Sequence, residues 1–143
     1  MNFISKKFKE LTTVELYEIL KSRAEIFLLE QRIICQDLDN KDYDSLHCYF
    51  SDGERVIAYL RAFCSGDGVV TIGRVLTLEH KKGLGSELMQ KSIGAVKKEF
   101  DCKKIAVHAQ KQAVGFYEKI GFHSVSGELL EEGIPHITME MKI

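Results

Sequence analysis

The sequence predicts a mixed α/β domain, and three observations predict it. Cys48 to Ser51, Arg55 to Phe63 and Val69 to Leu78 are strand-like runs separated by Asp52-Gly53 and Gly66-Asp67-Gly68, so they form an antiparallel meander. Two other stretches, one starting at Thr12 and one at Leu84, repeat apolar residues every three or four positions, the period of an amphipathic helix. Lys104 to Gln110 alternates Ile105, Val107 and Ala109 with Ala106 and His108; a strand covered on both faces in this way is expected to pair in parallel across the preceding helix. The full order reads β-α-β-β-β-α-β-α-β-β.

The first strand is expected from Phe3 to Phe8. Thr12-Thr13-Val14-Glu15 has the Thr-x-x-Glu spacing of a capping box and starts a helix, whose apolar face reads as Leu16, Leu20, Ala24 and Phe27, joined by Tyr17 and Ile19. From Glu30 to Leu46 the chain turns polar and acidic, with Asp37, Asp39, Asp42 and Asp44. The glycine and the closing glutamate of an EF-hand are missing there, so a solvated or substrate-facing loop is expected rather than a calcium site. Gly73 interrupts the third meander strand, as a bulge or a close approach would require.

The second helix should turn Leu84, Leu88, Met89, Ile93, Val96 and Phe100 inward. Ala113, Phe116, Tyr117 and Ile120 give a third, short helix, ended by Gly121 in a left-handed cap. Phe122 to Ser126 and Ile134 to Met141 complete the sheet.

A chain of 143 residues fits one domain spanning 1–143. The formal net charge of −1 gives no global attraction to nucleic acid or to an anionic membrane. No run approaches the roughly 20 apolar residues of a membrane span and MNFISKKFKEL lacks a signal-peptide core, so a cytoplasmic protein is expected. Cys35, Cys48, Cys64 and Cys102 form no C-x-x-C pair. They read as free thiols, and no metal is expected.

The stretch from Thr71 to Lys91 carries the chemistry. A strand, a basic glycine-bearing turn and a helix N-terminus follow one another, and the unpaired amides of a first helical turn suit a phosphate. Gly83 and Gly85 let the backbone close around such a group, and Lys81 and Lys82 add charge. A Walker A loop would need a lysine and a hydroxyl after Gly85. A dinucleotide fingerprint would need a third glycine where Leu88 stands. Neither is present.

His80-Lys81-Lys82-Gly83-Leu84-Gly85 resembles the [RQ]-x-x-G-x-[GA] turn of the GNAT superfamily of acyl-CoA-dependent N-acetyltransferases. Ala113-Val114-Gly115-Phe116-Tyr117-Glu118-Lys119-Ile120-Gly121-Phe122 resembles that family's A-x-x-F-Y-x-K-x-G-F element. Arg23, Phe27, Glu30-Gln31, the loop from Asp39 to His47, Ile72-Gly73-Arg74-Val75 and Gly133-Ile134-Pro135-His136 look like its ElaA-like branch. The sequence departs from the family pattern at His80, where Arg or Gln is usual, and at Gln110, where many relatives carry Asn.

The resemblance implies a mixed, centrally splayed sheet flanked by helices, and acetyl-CoA as co-substrate. It implies a pyrophosphate held at His80, Lys81, Lys82, Gly83, Leu84, Gly85 and Ser86. Val75, Leu76 and Thr77 would guide the pantetheine arm and its thioester to Tyr117, with Gln110 and Phe116 also binding the coenzyme. A backbone N–H near Leu76 would stabilise the oxyanion and Tyr117 would protonate the leaving thiolate. His136, Glu30, Glu79 and His47 are the candidate bases, His47 also being a candidate substrate contact. Arg23 and Arg74 suit either a substrate carboxylate or an internal ion pair.

The expected reaction is transfer of an acetyl group to a primary amine of a small molecule or peptide. The alternatives are a non-catalytic acyl-CoA-binding or sensing module, or transfer of a longer acyl chain. Monomer and homodimer are equally open.

Overall fold

A computed structural model describes residues 1–79 and 83–143. In chain order the elements are β1 (Asn2–Lys7), α1 (Thr13–Arg23), β2 (Leu46–Ser51), β3 (Val56–Gly66), β4 (Val69–Thr77), α2 (Leu84–Glu99), β5 (Lys104–Gln110), α3 (Val114–Ile120), β6 (His123–Glu131) and β7 (Ile134–Lys142). The strands form one sheet in the order β1-β2-β3-β4-β5-β7-β6, antiparallel except for the pair β4 and β5. The order of helices and strands is the one the sequence predicts. Among the described residues no helix is long and apolar enough to cross a membrane.

Two apolar layers sandwich the sheet. On one face Leu88, Met89, Ile93 and Val96 of α2, with Tyr117 of α3, pack against Cys48, Leu60, Val70, Ile105 and Val107. The inward face of α2 is therefore the expected one, apart from Phe100, which lies just beyond the helix and is half-buried. The other face holds a smaller cluster in which Ile19 and Ile26 meet Tyr49, Tyr59 and Leu76.

The capping box of α1 is formed: Glu15 N–H donates to Thr12 Oγ1 at 3.1 Å, and Thr12 N–H to Glu15 Oε1 at 2.8 Å. The buried face is only in part the expected one. Ile19 turns inward as expected, but Ser22, Arg23 and Ile26 join it, while Ala24 and Tyr17 are exposed and Leu16, Leu20 and Phe27 lie at the flanks. Polar contacts set this rotation. Ser22 Oγ donates to the Val56 carbonyl at 2.6 Å, and Arg23 enters an ion-pair cluster. Beyond Arg23 the chain continues as a π-helical segment, Ala24–Glu30, with Gln31 N–H bonded to the Ile26 carbonyl at 2.8 Å. Its wider turn breaks the 3.6-residue count on which the apolar reading rests.

The irregularity expected at Gly73 is a bulge centred one residue later. Tyr59 faces Leu76 and Arg61 faces Gly73, so β4 carries one residue more than β3, and Arg74 takes a left-handed φ of 53°. On the other side, β4 pairs with β5 from Val69–Lys104 to Ile72–Val107 and no further. From that point the two strands part, which makes the central splay.

The final hairpin is longer than expected, β6 running to Glu131 rather than ending at Ser126. Glu132 and Gly133, with φ of 51° and 74°, make a tight two-residue turn. Glutamate is not a usual residue for it, so its sequence signal is weak.

Candidate functional site

A cleft of about 550 Å³ opens where β4 and β5 separate. Gly73, Arg74 and Val75 form one wall and Val107, His108 and Gln110 the other. Tyr117 of α3, His136 of β7 and the hairpin tip at Glu131 and Glu132 close one end, and the chain following the π-helical segment closes the other.

Pieces far apart in sequence converge at the start of α2. Gly83 caps the helix at φ 93°, and a Cβ on Gly85 would stand 3.4 Å from the Phe116 ring and 3.9 Å from the Thr77 methyl. The first turn of α2 thus packs closely on both α3 and β4, at a spacing that a methyl group on residue 85 would also fill. Leu84 is core, Ser86 is half-buried beside it, and Leu76 packs toward α1. His80, Lys81 and Lys82 lie outside the described residues.

Tyr117 is 7% exposed and wedged edge-on between Phe116 and Phe122, at centroid distances of 5.1 and 5.8 Å. Burial pushes its hydroxyl up to about 12. Among the described residues that hydroxyl has no hydrogen-bond partner, so a polar group held at the end of the cleft is available to a ligand.

The acidic loop is not simply solvated: it faces the cleft through Asp37, Asp39 and Lys41, and those carboxylates are held in ion pairs. Arg23 Nε donates to Asp37 Oδ2 at 2.9 Å and its Nη1 to Asp42 Oδ1 at 2.7 Å. Arg61 holds both oxygens of Asp39, at 2.8 and 2.6 Å, and also reaches Asp42 at 3.1 Å. Arg74 Nε donates to Asp37 Oδ1 at 2.8 Å. The Arg61 fork holds the Asp39 carboxyl well below the usual range. Burial alone would raise Asp42, but the Arg23 and Arg61 guanidiniums overcome it and lower the group.

Two expected substrate contacts are corrected by this network. Arg23 is fully buried and spent on Asp37 and Asp42, so it is the internal ion pair and not a substrate ligand. His47 is also fully buried. Its Nε2–H donates to the Asp42 carbonyl at 2.9 Å and its Nδ1 accepts from the Tyr59 hydroxyl at 2.8 Å, so it neither touches a substrate nor serves as a base. Burial, reinforced by Arg23 and Arg61, lowers its pKa and keeps it neutral. Arg74 is ion-paired too, yet it still lines the cleft with a side chain 26% exposed.

Of the other expected bases, Glu30 and Glu79 are exposed and do not line the cleft, whereas His136 does. His136 faces Gln110 across the β5–β7 ladder, and its Nδ1–H donates to the Ile134 carbonyl at 2.7 Å. Gln110 is part of an amide chain, donating to Gln31 Oε1 at 3.0 Å and accepting from Gln112 at 2.6 Å.

Sequence reasoning passes over Arg61, the anchor of Asp39, and over His108, whose Nδ1 lies 2.9 Å from Glu131 Oε2. An arginine inside a strand run and a histidine in an alternating strand give no local motif. Among the described residues no three His, Cys, Asp or Glu side chains cluster closely enough to hold a metal ion.

A splayed mixed sheet with a glycine-bearing helix N-terminus at its opening defines the class, and comparison with known proteins agrees. Residues 22–143 match the family described as "Acetyltransferase (GNAT) domain", and the chain belongs to that family. It is similar to protein ElaA of Escherichia coli, at 33% identity over 140 residues, covering 94% of this chain and 92% of that one. The crystal structure of E. coli ElaA superposes with a TM-score of 0.92 over 99% of both chains. So does that of an acyl-CoA N-acyltransferase from Pseudomonas aeruginosa, at 32% identity. A GNAT family acetyltransferase from Elizabethkingia anophelis, solved with acetyl-CoA bound, shares the fold at TM-score 0.65 and 16% identity.

Proposed function

We propose that this protein is an acetyltransferase that moves the acetyl group of acetyl-CoA to a primary amine of a small molecule or peptide. The observation carrying this reading is the parting of β4 and β5 after Ile72 and Val107 with Tyr117 at the end of the opening. Backbone amides of β4 beyond the ladder are free of β5 there, which suits the amide groups of a pantetheine arm along Val75, Leu76 and Thr77.

Coenzyme phosphates fit the turn at Gly83, Leu84, Gly85 and Ser86, where the first amides of α2 and its positive dipole end lie together. In the proposed step the neutral amine attacks the thioester carbonyl, forming the C–N bond as the C–S bond breaks. A backbone N–H near Leu76 supports the oxyanion, a contribution of roughly 3 to 4 kcal/mol per donor. Tyr117 gives its proton to the departing thiolate, and the proton shed by the new amide nitrogen returns to the tyrosinate through solvent. His136 and Arg74 both line the cleft, which makes them candidate acceptor contacts in this reading.

Calorimetric titration with acetyl-CoA, followed by a thiol-release assay over a panel of primary amines, tests the reading. Micromolar binding with amine-dependent release is expected. Binding with no release from any amine would sink it.

A further inference from the structure

We infer that His108 and Glu131 form the pair that takes the proton from the acceptor amine, an inference that rests on the transferase reading above. Val107 makes the last pairing between β4 and β5, so His108 is the first residue of β5 past the fork. It lines the cleft, and its side chain is 48% exposed.

The geometry fixes the role of each nitrogen. Glu131 as a carboxylate can only accept, so His108 Nδ1–H donates to it across 2.9 Å, and the lone pair stays on Nε2. A carboxylate behind an imidazole orients the ring and stabilises the imidazolium that forms when Nε2 is protonated. The other cleft imidazole lacks that support, because His136 Nδ1–H rests on the neutral Ile134 carbonyl. His47 is sealed in the core.

Glu131 reaches His108 over β7, which stands between β5 and β6 in the sheet. The tight turn at Glu132-Gly133 ends β6 beside the cleft and sets this reach. Sheet pairing does not require such a contact, and the two side chains remain 48% and 43% exposed. The other charged or titratable groups sharing the cleft are Glu132, His136, Lys41, Cys35 and Tyr117, with Arg61 and Arg74 paired to Asp39 and Asp37. Lys41 lies over the Phe63 ring at 5.2 Å, and nearby Lys111 is paired with Glu128 at 3.1 Å.

The step balances as follows. The ammonium N–H proton passes to His108 Nε2, and the freed lone pair forms the C–N bond. The C–S electrons leave on sulfur, and the thiolate takes the Tyr117 proton. As the tetrahedral adduct collapses the nitrogen sheds its second proton, through solvent, to the tyrosinate, giving the neutral amide, and the imidazolium releases the first proton to solvent. Glu131 is a positioning residue, since it acts through His108.

The test compares wild type with His108→Gln, Glu131→Gln and His136→Gln, using acetyl-CoA and the most active amine of the panel. His108→Gln is expected to lower kcat/KM by about 100-fold or more, to leave acetyl-CoA affinity within about twofold, and to abolish the acid limb of the pH–rate profile. Imidazole added to His108→Ala should restore part of the rate. Glu131→Gln should lower the rate by about tenfold and displace the acid limb.

An active wild type whose His108→Gln variant keeps its rate and profile overturns the pair while the transferase reading stands. Should His108→Gln fail to fold, an undisplaced acid limb in Glu131→Gln overturns it instead. A loss confined to His136→Gln moves the role to His136 and likewise overturns the pair. A wild type that binds acetyl-CoA but releases no thiol overturns the transferase reading and this inference together.

Discussion

Asp37 and Arg74 are joined twice: Arg74 Nε donates to Asp37 Oδ1 at 2.8 Å and Arg74 Nη2 to the Asp37 carbonyl at 2.9 Å. Arg74 is the left-handed residue of the β4 bulge, and Asp37 belongs to the acidic loop. The bulge that lets β4 leave β5 is therefore the point that fastens the loop over the cleft. Because Asp37 also binds the buried Arg23, the loop, the bulge and α1 are tied together through one carboxylate residue.

Removing the anchor of this cluster should cost the fold heavily. Asp42, 8% exposed, accepts from both Arg23 and Arg61, so Asp42→Ala leaves two buried guanidiniums undercompensated. A loss of about 3 to 5 kcal/mol is expected, read as a shifted urea midpoint. A midpoint equal to wild type would show the cluster to be dispensable.

Stability should begin to fall well above the carboxylate range as pH drops. The folded His47 pKa is depressed by burial, while the unfolded histidine binds a proton near its ordinary value of 6.5. The unfolded state then holds more protons, so stability is complete above about 6.5 and declines below it. Asp39 and Asp42, also lowered, add a second decline below their ordinary value of 3.8. Urea midpoints between pH 7.5 and 5 should fall in wild type and stay flat in His47→Gln; parallel slopes would refute the assignment.

Tyr117→Phe should reduce kcat by about 100-fold, with acetyl-CoA affinity within about twofold. Since the free hydroxyl titrates only near 12, no alkaline limb below pH 10 should come from Tyr117 in kcat/KM. An unchanged kcat removes it from the reaction.

Gly83 and Gly85 should separate conformation from space. Gly83→Ala forces a side chain into φ 93° and should cost about 1 to 2 kcal/mol, with weaker acetyl-CoA binding as the first turn of α2 is re-aimed. Gly85→Ala places its methyl at ordinary contact distance, 3.4 Å from Phe116, and should fold at least as stably as wild type. Calorimetry with thermal unfolding checks both, and equal behaviour of the two variants would contradict the distinction.

Wherever one local signal governs, the sequence is legible. The capping box at Thr12 and Glu15, the meander turns, the inward stripe of α2 and the Gly121 cap all depend on neighbours within a few residues. The buried face of α1 is not legible locally, because a buried Arg23 looks polar in sequence and the π-helical segment interrupts the period. Glu132 hid the final turn for a similar reason, since it occupies a left-handed position without the usual residue type.

By itself, then, the sequence determines the element order, the glycine turn opening α2 and Tyr117 in its short helix, because periodicity, turn chemistry and motif spacing are properties of contiguous residues. Only the tertiary structure decides which charged groups meet. It sinks Arg23 and His47, fastens the acidic loop to Arg74, leaves His136 in the cleft but not Glu30 or Glu79, and brings Glu131 over β7 to His108. The reason is physical. A lone arginine or histidine is equally at home in water, and its role is fixed only by the partners that folding carries to it from 14 to 37 residues away in the arginine cluster and 23 in the histidine pair.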